Sequence, residues 1–256
     1  MKVCQVEKVT VHVADSRSEM GKKAAKDAVE VISAVIRSKG SANVVFAAAP
    51  SQNEFLDALV NSDLDFTRIH AYHMDEYLGL AEDAPQGFGN FLRRAIFDKA
   101  PFAKVDYLNG QAEDPEAECA RYEALLKADP PDVICMGIGE NGHIAFNDPG
   151  EADFNDPRLV KIVNLDDKCR NQQVHDGCFA KLDDVPKQAL SLTIPALTKF
   201  VQILCVVPAP TKAQAVRDTL AGPISENCPA SILRTCWGAQ LYLDPDSASL
   251  WETENV

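Results

Sequence analysis

Short runs of apolar, often β-branched residues alternate along the chain with segments in which apolar residues recur every three or four positions. The short runs predict strands and the longer periodic segments predict amphipathic helices. Strands are predicted at residues 9–13, 43–48, 68–73, 132–136, 189–194, 201–207 and 240–243. Helices are predicted at residues 18–38, with Ser18 as the N-cap, and at 52–60, 88–99, 116–127 and 211–220.

Strands that alternate with helices at this spacing predict an α/β fold with a mostly parallel sheet and helices on both faces. No Gly/Ser-rich linker, low-complexity segment or internal repeat divides residues 1–256, so we expect a single domain. In open sheets of this class, ligands bind beyond the carboxyl ends of the strands. Catalytic and binding residues are therefore expected at the carboxyl ends of the predicted strands.

The composition argues against several classes of binding partner and of cellular location. The net charge of −13 argues against nucleic acid or an anionic membrane as a partner, because both are bound through basic patches. The eight cysteines are scattered without metal-ligand spacing, and we interpret them as reduced thiols. The first residues lack the apolar stretch of a signal peptide, and no apolar run approaches the roughly 20 residues of a membrane-spanning helix. The expected compartment is the cytoplasm.

Small residues follow the second predicted strand, in VVFAAAPSQNEF. Small side chains let a backbone approach a ligand, and amides at the start of the next helix can bind an anion. The alternative is an ordinary strand-to-helix turn in which Ser51 caps the helix.

Two further strand ends carry ionisable side chains. In HAYHMDEYLGL, Asp75 and Glu76 point to opposite faces of an extended chain, so only one can enter a given pocket as a base. In GIGENGHIAFNDPG, His143 can transfer protons near neutral pH, and Asn141 or Asp148 can fix its tautomer. The alternatives are a solvated acidic pair and a structural loop histidine.

Together, the three segments resemble the glucosamine-6-phosphate deaminase (isomerase) family. The motifs that carry the resemblance are the small-residue loop near 47–52, MDEY-x-GL at 74–80 and GIGENGHIAFN at 137–147, in that order. VPKQALSLTI at 185–194 and PAPTKAQAV around Lys212 extend it over roughly residues 20 to 240. The superfamily also contains 6-phosphogluconolactonases, which share the G-x-G-x-x-G-H segment but differ at the MDEY and AFN positions.

The resemblance implies a modified doubly wound, Rossmann-like fold and a reaction that needs no metal and no organic cofactor. A hexosamine 6-phosphate, of gluco or galacto configuration, is converted to the ketose 6-phosphate with release of ammonia. The implied catalytic residues are Asp75 as the base, His143 as the ring opener, and Asn141 and Asp148 beside the histidine. The implied substrate-binding residues are Ala48, Ala49, Ser51, Gln52, Glu76, Gly139, Arg170 and Lys212.

The chain departs from the family pattern at several of these positions. Asn141 stands where the family has aspartate, and an asparagine orients an imidazole without stabilising its charged form as a carboxylate does. Asp148 stands where the family has glutamate and is one methylene shorter. Arg170, in CRNQQ, replaces a sugar-phosphate arginine expected near residue 173. GEADFNDP replaces the serines of an allosteric site, so we expect no activation by an amino-sugar phosphate.

Two alternative functions stay open. His143 can activate water on a lactone, which makes a 6-phosphogluconolactonase-type hydrolase the first alternative. The second is a non-catalytic sugar-phosphate sensor, although no DNA-binding module or basic segment accompanies the fold. The resemblance also implies a homo-oligomer.

Overall fold

The computed structural model describes residues 1–199 and 201–252. Its strands are β1 (Lys2–Val6), β2 (Val9–Val13), β3 (Ala42–Phe46), β4 (Ile69–His73), β5 (Asp75–Tyr77), β6 (Lys104–Asp106), β7 (Val133–Met136), β8 (Val160–Asn164), β9 (Gln188–Leu192), β10 (Gln202–Val207) and β11 (Gln240–Leu243). Its helices are α1 (Arg17–Lys39), α2 (Asn53–Val60), α3 (Phe88–Leu92), α4 (Pro115–Ala128), α5 (Asp167–His175), α6 (Ile194–Thr198), α7 (Ala213–Ala221) and α8 (Pro245–Glu252).

Eight strands form one large sheet in the order β1-β2-β11-β10-β7-β3-β4-β6. All neighbours in this sheet are parallel except β1, which pairs antiparallel with β2. A second, antiparallel sheet of three strands has the order β5-β9-β8. The predicted α/β class, with a mostly parallel, doubly wound sheet, is confirmed.

The central strands are apolar on both sides because helices cover both faces of the large sheet. All four residues of β7 are buried, as a strand between two helical layers requires. One core contains Tyr122 of α4, Val216 of α7 and Trp251 of α8. The other contains Ala28 of α1 and Leu56 of α2. The two layers together hold the carboxyl ends of the parallel strands in fixed register.

Several boundaries and elements differ from the sequence prediction. Helix α1 begins at Arg17, and its N-cap is Ser16, whose Oγ accepts a hydrogen bond from the Glu19 amide, so the prediction of Ser18 as the cap was wrong. Strands β1, β5, β6 and β8 and helix α5 were not predicted, because they are short or lack a clear apolar period. The C-terminal segment also forms a helix that was not predicted, α8, in which Trp251 is buried. Residues 253–256 lie outside the described residues.

Two predictions from the composition concern the state of the cysteines and the presence of membrane-spanning helices. The eight cysteines, all within the described residues, are thiols outside disulfides, and Cys135 and Cys205 lie inside buried strands. Within residues 1–199 and 201–252, no helix is both long enough and apolar enough to span a membrane.

Candidate active site

The candidate site is a cavity at the carboxyl ends of β3, β4, β7 and β10. These strands are neighbours in the large sheet, so the segments that follow them converge at one edge. The cavity is open to solvent, and the empty space within it, including that open region, is about 490 Å³. It is lined by Ala47, Ala48, Ala49, Ser51, Gln52, Met74, Asp75, Phe88, Gly137, Ile138, Gly139, His143, Ala145, Phe146, Gln172, Gln173 and Lys212.

One wall consists of two strand-to-helix connections of the same design. A 3₁₀ turn, Pro50–Gln52, joins β3 to α2, and a second, Pro210–Lys212, joins β10 to α7. The Gln52 side-chain amide donates to the Val206 carbonyl over 3.0 Å and links the two connections. Burial lowers the pKa of Lys212, although Asp176 and Glu140 oppose the shift. This wall therefore offers a buried ammonium beside a helix start, a combination suited to a phosphate.

Asp75 enters the cavity from β5, immediately beyond β4. Its side chain is buried, and burial together with the charge of Glu76 raises its pKa well above the usual aspartate value. The backbone of Asp75 is fixed by His73, whose Nδ1 lies 2.9 Å from the Asp75 carbonyl oxygen while its Nε2 accepts from the Leu108 amide. Burial lowers the pKa of His73 to about 4, so this imidazole is neutral and structural. A carboxyl group with a raised pKa, held rigidly in a cavity, is suited to proton transfer.

Glu76 faces the opposite side of β5, as adjacent strand residues must. Its carboxylate accepts hydrogen bonds from the amides of Tyr77, Phe88 and Gly89. It lines a separate cavity with Arg93 and does not reach the candidate site. Glu76 therefore does not line the candidate cavity, and its carboxylate holds the start of α3.

His143 lies across the cavity from the strand-to-helix connections and has a carboxylate behind it. Its Nδ1 is 2.9 Å from Asp148 Oδ1, and Asp148 is buried. Burial favours the neutral acid, but the charge of His143 and nearby hydrogen bonds outweigh it and lower the Asp148 pKa. Asn141 donates to Asp148 Oδ1 over 2.9 Å and accepts from the His143 amide, which fixes its own orientation. Asn141 and Asp148 thus support His143 from outside the cavity lining.

The loop that carries His143 depends on a close approach at Gly139. A Cβ at this position would lie 2.2 Å from the imidazole ring of His143. The Gly139 amide donates to the His143 carbonyl over 2.9 Å, which closes the loop on itself. Ala145 adopts a left-handed backbone, with φ of 49°. The glycine is required because the imidazole occupies the space that a side chain would need.

Helix α5 forms another wall of the cavity, but the predicted residue Arg170 is not part of that wall. Arg170 is buried, but its guanidinium contacts Asp167 and the carbonyls of Leu182 and Val185, so it does not line the cavity. Gln172 and Gln173 line it instead, and Gln172 also accepts the Glu140 amide over 2.8 Å. The segment CRNQQ contained this signal, since the glutamines stand where an arginine was expected.

The structure brings most of the predicted residues together. Those that line the cavity are Ala48, Ala49, Ser51, Gln52, Asp75, Gly139, His143 and Lys212. Asn141 and Asp148 stand behind His143, while Glu76 and Arg170 point elsewhere. Phe88, Phe146 and the two glutamines of α5 line the cavity as well but were not predicted.

Comparison with known proteins relates this arrangement to one family. Residues 15–241 match the family described as glucosamine-6-phosphate isomerases/6-phosphogluconolactonase. A glucosamine-6-phosphate deaminase of Listeria innocua is 38% identical over 226 residues, which cover 88% of this chain and 94% of that protein. One of Oenococcus oeni is 40% identical over 194 residues, covering 76% and 80%.

Solved structures share the fold. A monomeric glucosamine-6-phosphate deaminase superposes with a TM-score of 0.85 at 31% identity, covering 94% of this chain and 99% of that one. A 6-phosphogluconolactonase from Trypanosoma brucei gives a TM-score of 0.75 at 18% identity, covering 94% and 97%, a likeness of fold alone. The chain belongs to the glucosamine-6-phosphate isomerase/6-phosphogluconolactonase family, as its motifs predicted.

Proposed function

We propose that this protein is a glucosamine-6-phosphate deaminase-type enzyme that converts a hexosamine 6-phosphate to the ketose 6-phosphate and ammonia. The observation that carries the proposal is that Asp75, His143 and Lys212 line one cavity. The reaction needs a base at C2, a proton carrier at the ring oxygen and a cation for the phosphate. The glucosamine-6-phosphate deaminases among its relatives support the assignment.

His143 opens the sugar ring in the proposed reaction. Opening transfers a proton from the O1 hydroxyl to the ring oxygen, and an imidazole can accept and return that proton. Asp148, 2.9 Å from Nδ1, balances the charge that the ring acquires. Asn141 keeps the carboxylate in place through its own hydrogen bond.

Asp75 then moves a proton from C2 to C1. As the carboxylate, it removes the C2 proton, O1 takes a proton from the C2 ammonium to give the enolamine, and as the acid Asp75 protonates C1. The resulting C2 imine takes up water and releases ammonia, which gives the ketose. The raised pKa of Asp75 suits both steps, because a stronger base is needed for removal and a proton must be retained for delivery.

Lys212 and the turn at Pro50–Gln52 hold the phosphate in this proposal. The buried ammonium of Lys212 makes a charge-assisted contact that exposed lysines of an acidic protein do not offer. Ser51 and the backbone of Ala48 and Ala49 line the same wall. The protein can therefore bind an anion despite its net charge of −13.

Lactone hydrolysis is the second candidate, since the family includes lactonases. Lactone hydrolysis requires His143 to activate water, but it includes no proton transfer at C2, so Asp75 would have no role in it. The placement of Asp75 within the cavity favours the deaminase.

The decisive experiment measures ammonia release from glucosamine 6-phosphate and galactosamine 6-phosphate side by side, with 6-phosphogluconolactone hydrolysis in parallel. Ammonia from either amino sugar, lost in Asp75→Asn, is the expected result. Lactone hydrolysis without ammonia release would replace the proposal by the second candidate, and binding without turnover would indicate a sensor.

The proposed setting is the cytoplasm, and the proposed assembly is a homo-oligomer. The eight cysteine thiols, none of which is in a disulfide, support a reducing compartment. Fractionation of cells tests the compartment, and light scattering of the purified protein tests the assembly.

A further inference from the structure

A histidine, a carboxylate and a thiol meet at the back of the candidate site. His143, Asp148 and Cys169 each offer one ligand atom, and these atoms all lie within 4.8 Å of one another. All three residues are buried. Cys169 comes from α5, whereas the other two come from the loop after β7, so the cluster exists only in the folded chain. The proposed reaction gives Cys169 no task.

The Asp148 carboxylate joins the other two side chains of this cluster. It accepts hydrogen bonds from His143 and from Cys169, and its Oδ1 lies 2.9 Å from His143 Nδ1. The imidazole and the thiol are therefore held against one carboxylate. Imidazole nitrogen, carboxylate oxygen and thiolate sulfur are ordinary ligands of a transition metal.

An acidic cavity adjoins the cluster. It is open to solvent, and its lining includes Asn141, Pro149 and Lys168, together with four carboxylate residues, Glu140, Asp166, Asp167 and Asp218. Asn141 forms part of its wall and contacts Asp148 directly, while Pro149 and Lys168 are chain neighbours of Asp148 and Cys169. Asp167 is paired with Arg170, and the three other carboxylates still outnumber the single ammonium of Lys168, an excess that attracts cations.

We propose that His143, Asp148 and Cys169 form a binding site for zinc or a similar divalent transition metal. Zinc bonds sulfur at about 2.3 Å and nitrogen or oxygen at about 2.0–2.2 Å, so inward movements of roughly 1 Å complete the three contacts. Mixed sulfur, nitrogen and oxygen ligands favour zinc and cobalt over magnesium and calcium. A water molecule would take the fourth position.

The metal is an inhibitor and not a cofactor of the proposed reaction. It would occupy Asp148 and Nδ1 of His143, the two groups that support ring opening, so metal binding and activity exclude each other. This consequence rests on the proposed function, whereas the binding itself does not. The expected behaviour is full ammonia release from chelator-treated protein, loss of activity on adding zinc, and recovery with chelator.

The test is a titration of chelator-treated wild-type protein with cobalt(II), followed by absorption spectroscopy. The expected result is saturation at one cobalt per chain, with intense visible bands of tetrahedral cobalt and a near-ultraviolet charge-transfer band from a thiolate. Zinc should displace the cobalt. A wild-type titration without the thiolate band would overturn the proposal, whatever the variants do.

Variants then assign the ligands. Cys169→Ala should abolish the thiolate band and weaken cobalt binding by about tenfold or more, as loss of even an outer-shell partner can. The matched control is Cys178→Ala, another free and incompletely exposed cysteine just beyond α5, and it should keep both band and affinity. Asp148→Asn should weaken binding and retain the band. A band that survives in Cys169→Ala, or disappears in Cys178→Ala, would contradict the assignment.

Ammonia assays distinguish the two proposals. If the metal-free protein releases no ammonia from either hexosamine 6-phosphate, the proposed function fails, and the cobalt titration still decides the metal site. If ammonia release is strong and unaffected by saturating zinc, inhibition at His143 is refuted.

Discussion

Replacing Gly139 by alanine tests whether the position of His143 controls the chemistry. The added Cβ would lie 2.2 Å from Cε1 and Nε2 of His143 and 2.4 Å from Nδ1. Since ordinary contacts of a Cβ begin at 3.4 Å, the imidazole must move by about 1.2 Å or the loop must open. Movement of the loop would strain the 2.9 Å hydrogen bond from the Gly139 amide to the His143 carbonyl.

A displacement of about 1 Å at a catalytic group can cost roughly 100-fold in rate, equivalent to about 2.7 kcal/mol of transition-state stabilisation. We therefore expect kcat for ammonia release by Gly139→Ala to fall by about 100-fold. The Michaelis constant should change much less, because the three atoms nearest the new methyl group all belong to the His143 ring and none to the phosphate wall at Ser51 and Lys212. Steady-state kinetics with either hexosamine 6-phosphate measures both parameters.

Gly40→Ala is the matched control. Gly40 has a φ of 87° but nothing within 4 Å of its added Cβ, so this variant loses stability, by about 1–2 kcal/mol, without a clash near the site. Its kcat should equal that of the wild type. If Gly139→Ala keeps kcat within a few-fold of the wild type while remaining folded, the imidazole position is not critical, and His143 is not the ring opener.

Three further predictions concern Asp75, Lys212 and Ser191. Asp75→Asn should lower kcat by roughly 100- to 10,000-fold, with binding retained in calorimetry. Burial raises the pKa of Asp75 in the folded protein, so the protonated side chain stabilises the fold below the pKa of the unfolded chain, and this stabilisation is lost as pH rises through the folded-state pKa. Asp75→Asn should therefore melt at a higher temperature than the wild type near neutral pH, but not in acid. Lys212→Met should raise the Michaelis constant roughly 10- to 100-fold, and wild-type substrate affinity should fall as pH rises through the lowered pKa of Lys212; a flat pH profile would contradict this. Ser191→Ala should cost about 1–3 kcal/mol in urea denaturation, because Ser191 Oγ accepts the buried Phe146 amide over 3.1 Å; an unchanged free energy of unfolding would show that this contact is dispensable.

Candidate catalytic residues could be predicted from the sequence where a predicted strand ended in a segment with ionisable side chains or glycines. Asp75 and His143 follow apolar strands, and parallel strands bring such ends to one edge, so their meeting in one cavity followed from the pattern. The opposite orientations of Asp75 and Glu76 followed from the strand period of two, although that period could not say which carboxylate would enter the cavity. Pairing of β5 with β9 and the contact of Glu76 with α3 settle the choice.

The direction of the Arg170 side chain could not be predicted from its sequence motif. Its position in CRNQQ suggested a substrate contact, but the direction of its side chain depends on the turn at residues 182–185, which offers two carbonyl acceptors. A buried guanidinium needs hydrogen-bond acceptors, and the acceptors that Arg170 contacts lie outside the cavity lining. Gln172 and Gln173 face the cavity as a result of how α5 is docked, a matter of packing over long sequence separation.

The sequence by itself determined the α/β class, the three loops that carry chemistry and the family, because hydrophobic period and local motifs are properties of neighbouring residues. Tertiary structure alone decided the order of the strands, the burial that raises the Asp75 pKa, and the meeting of Cys169 with His143 and Asp148. These depend on which distant segments pack together and how much water they exclude. Desolvation and side-chain proximity arise only when the sheet and both helical layers are assembled.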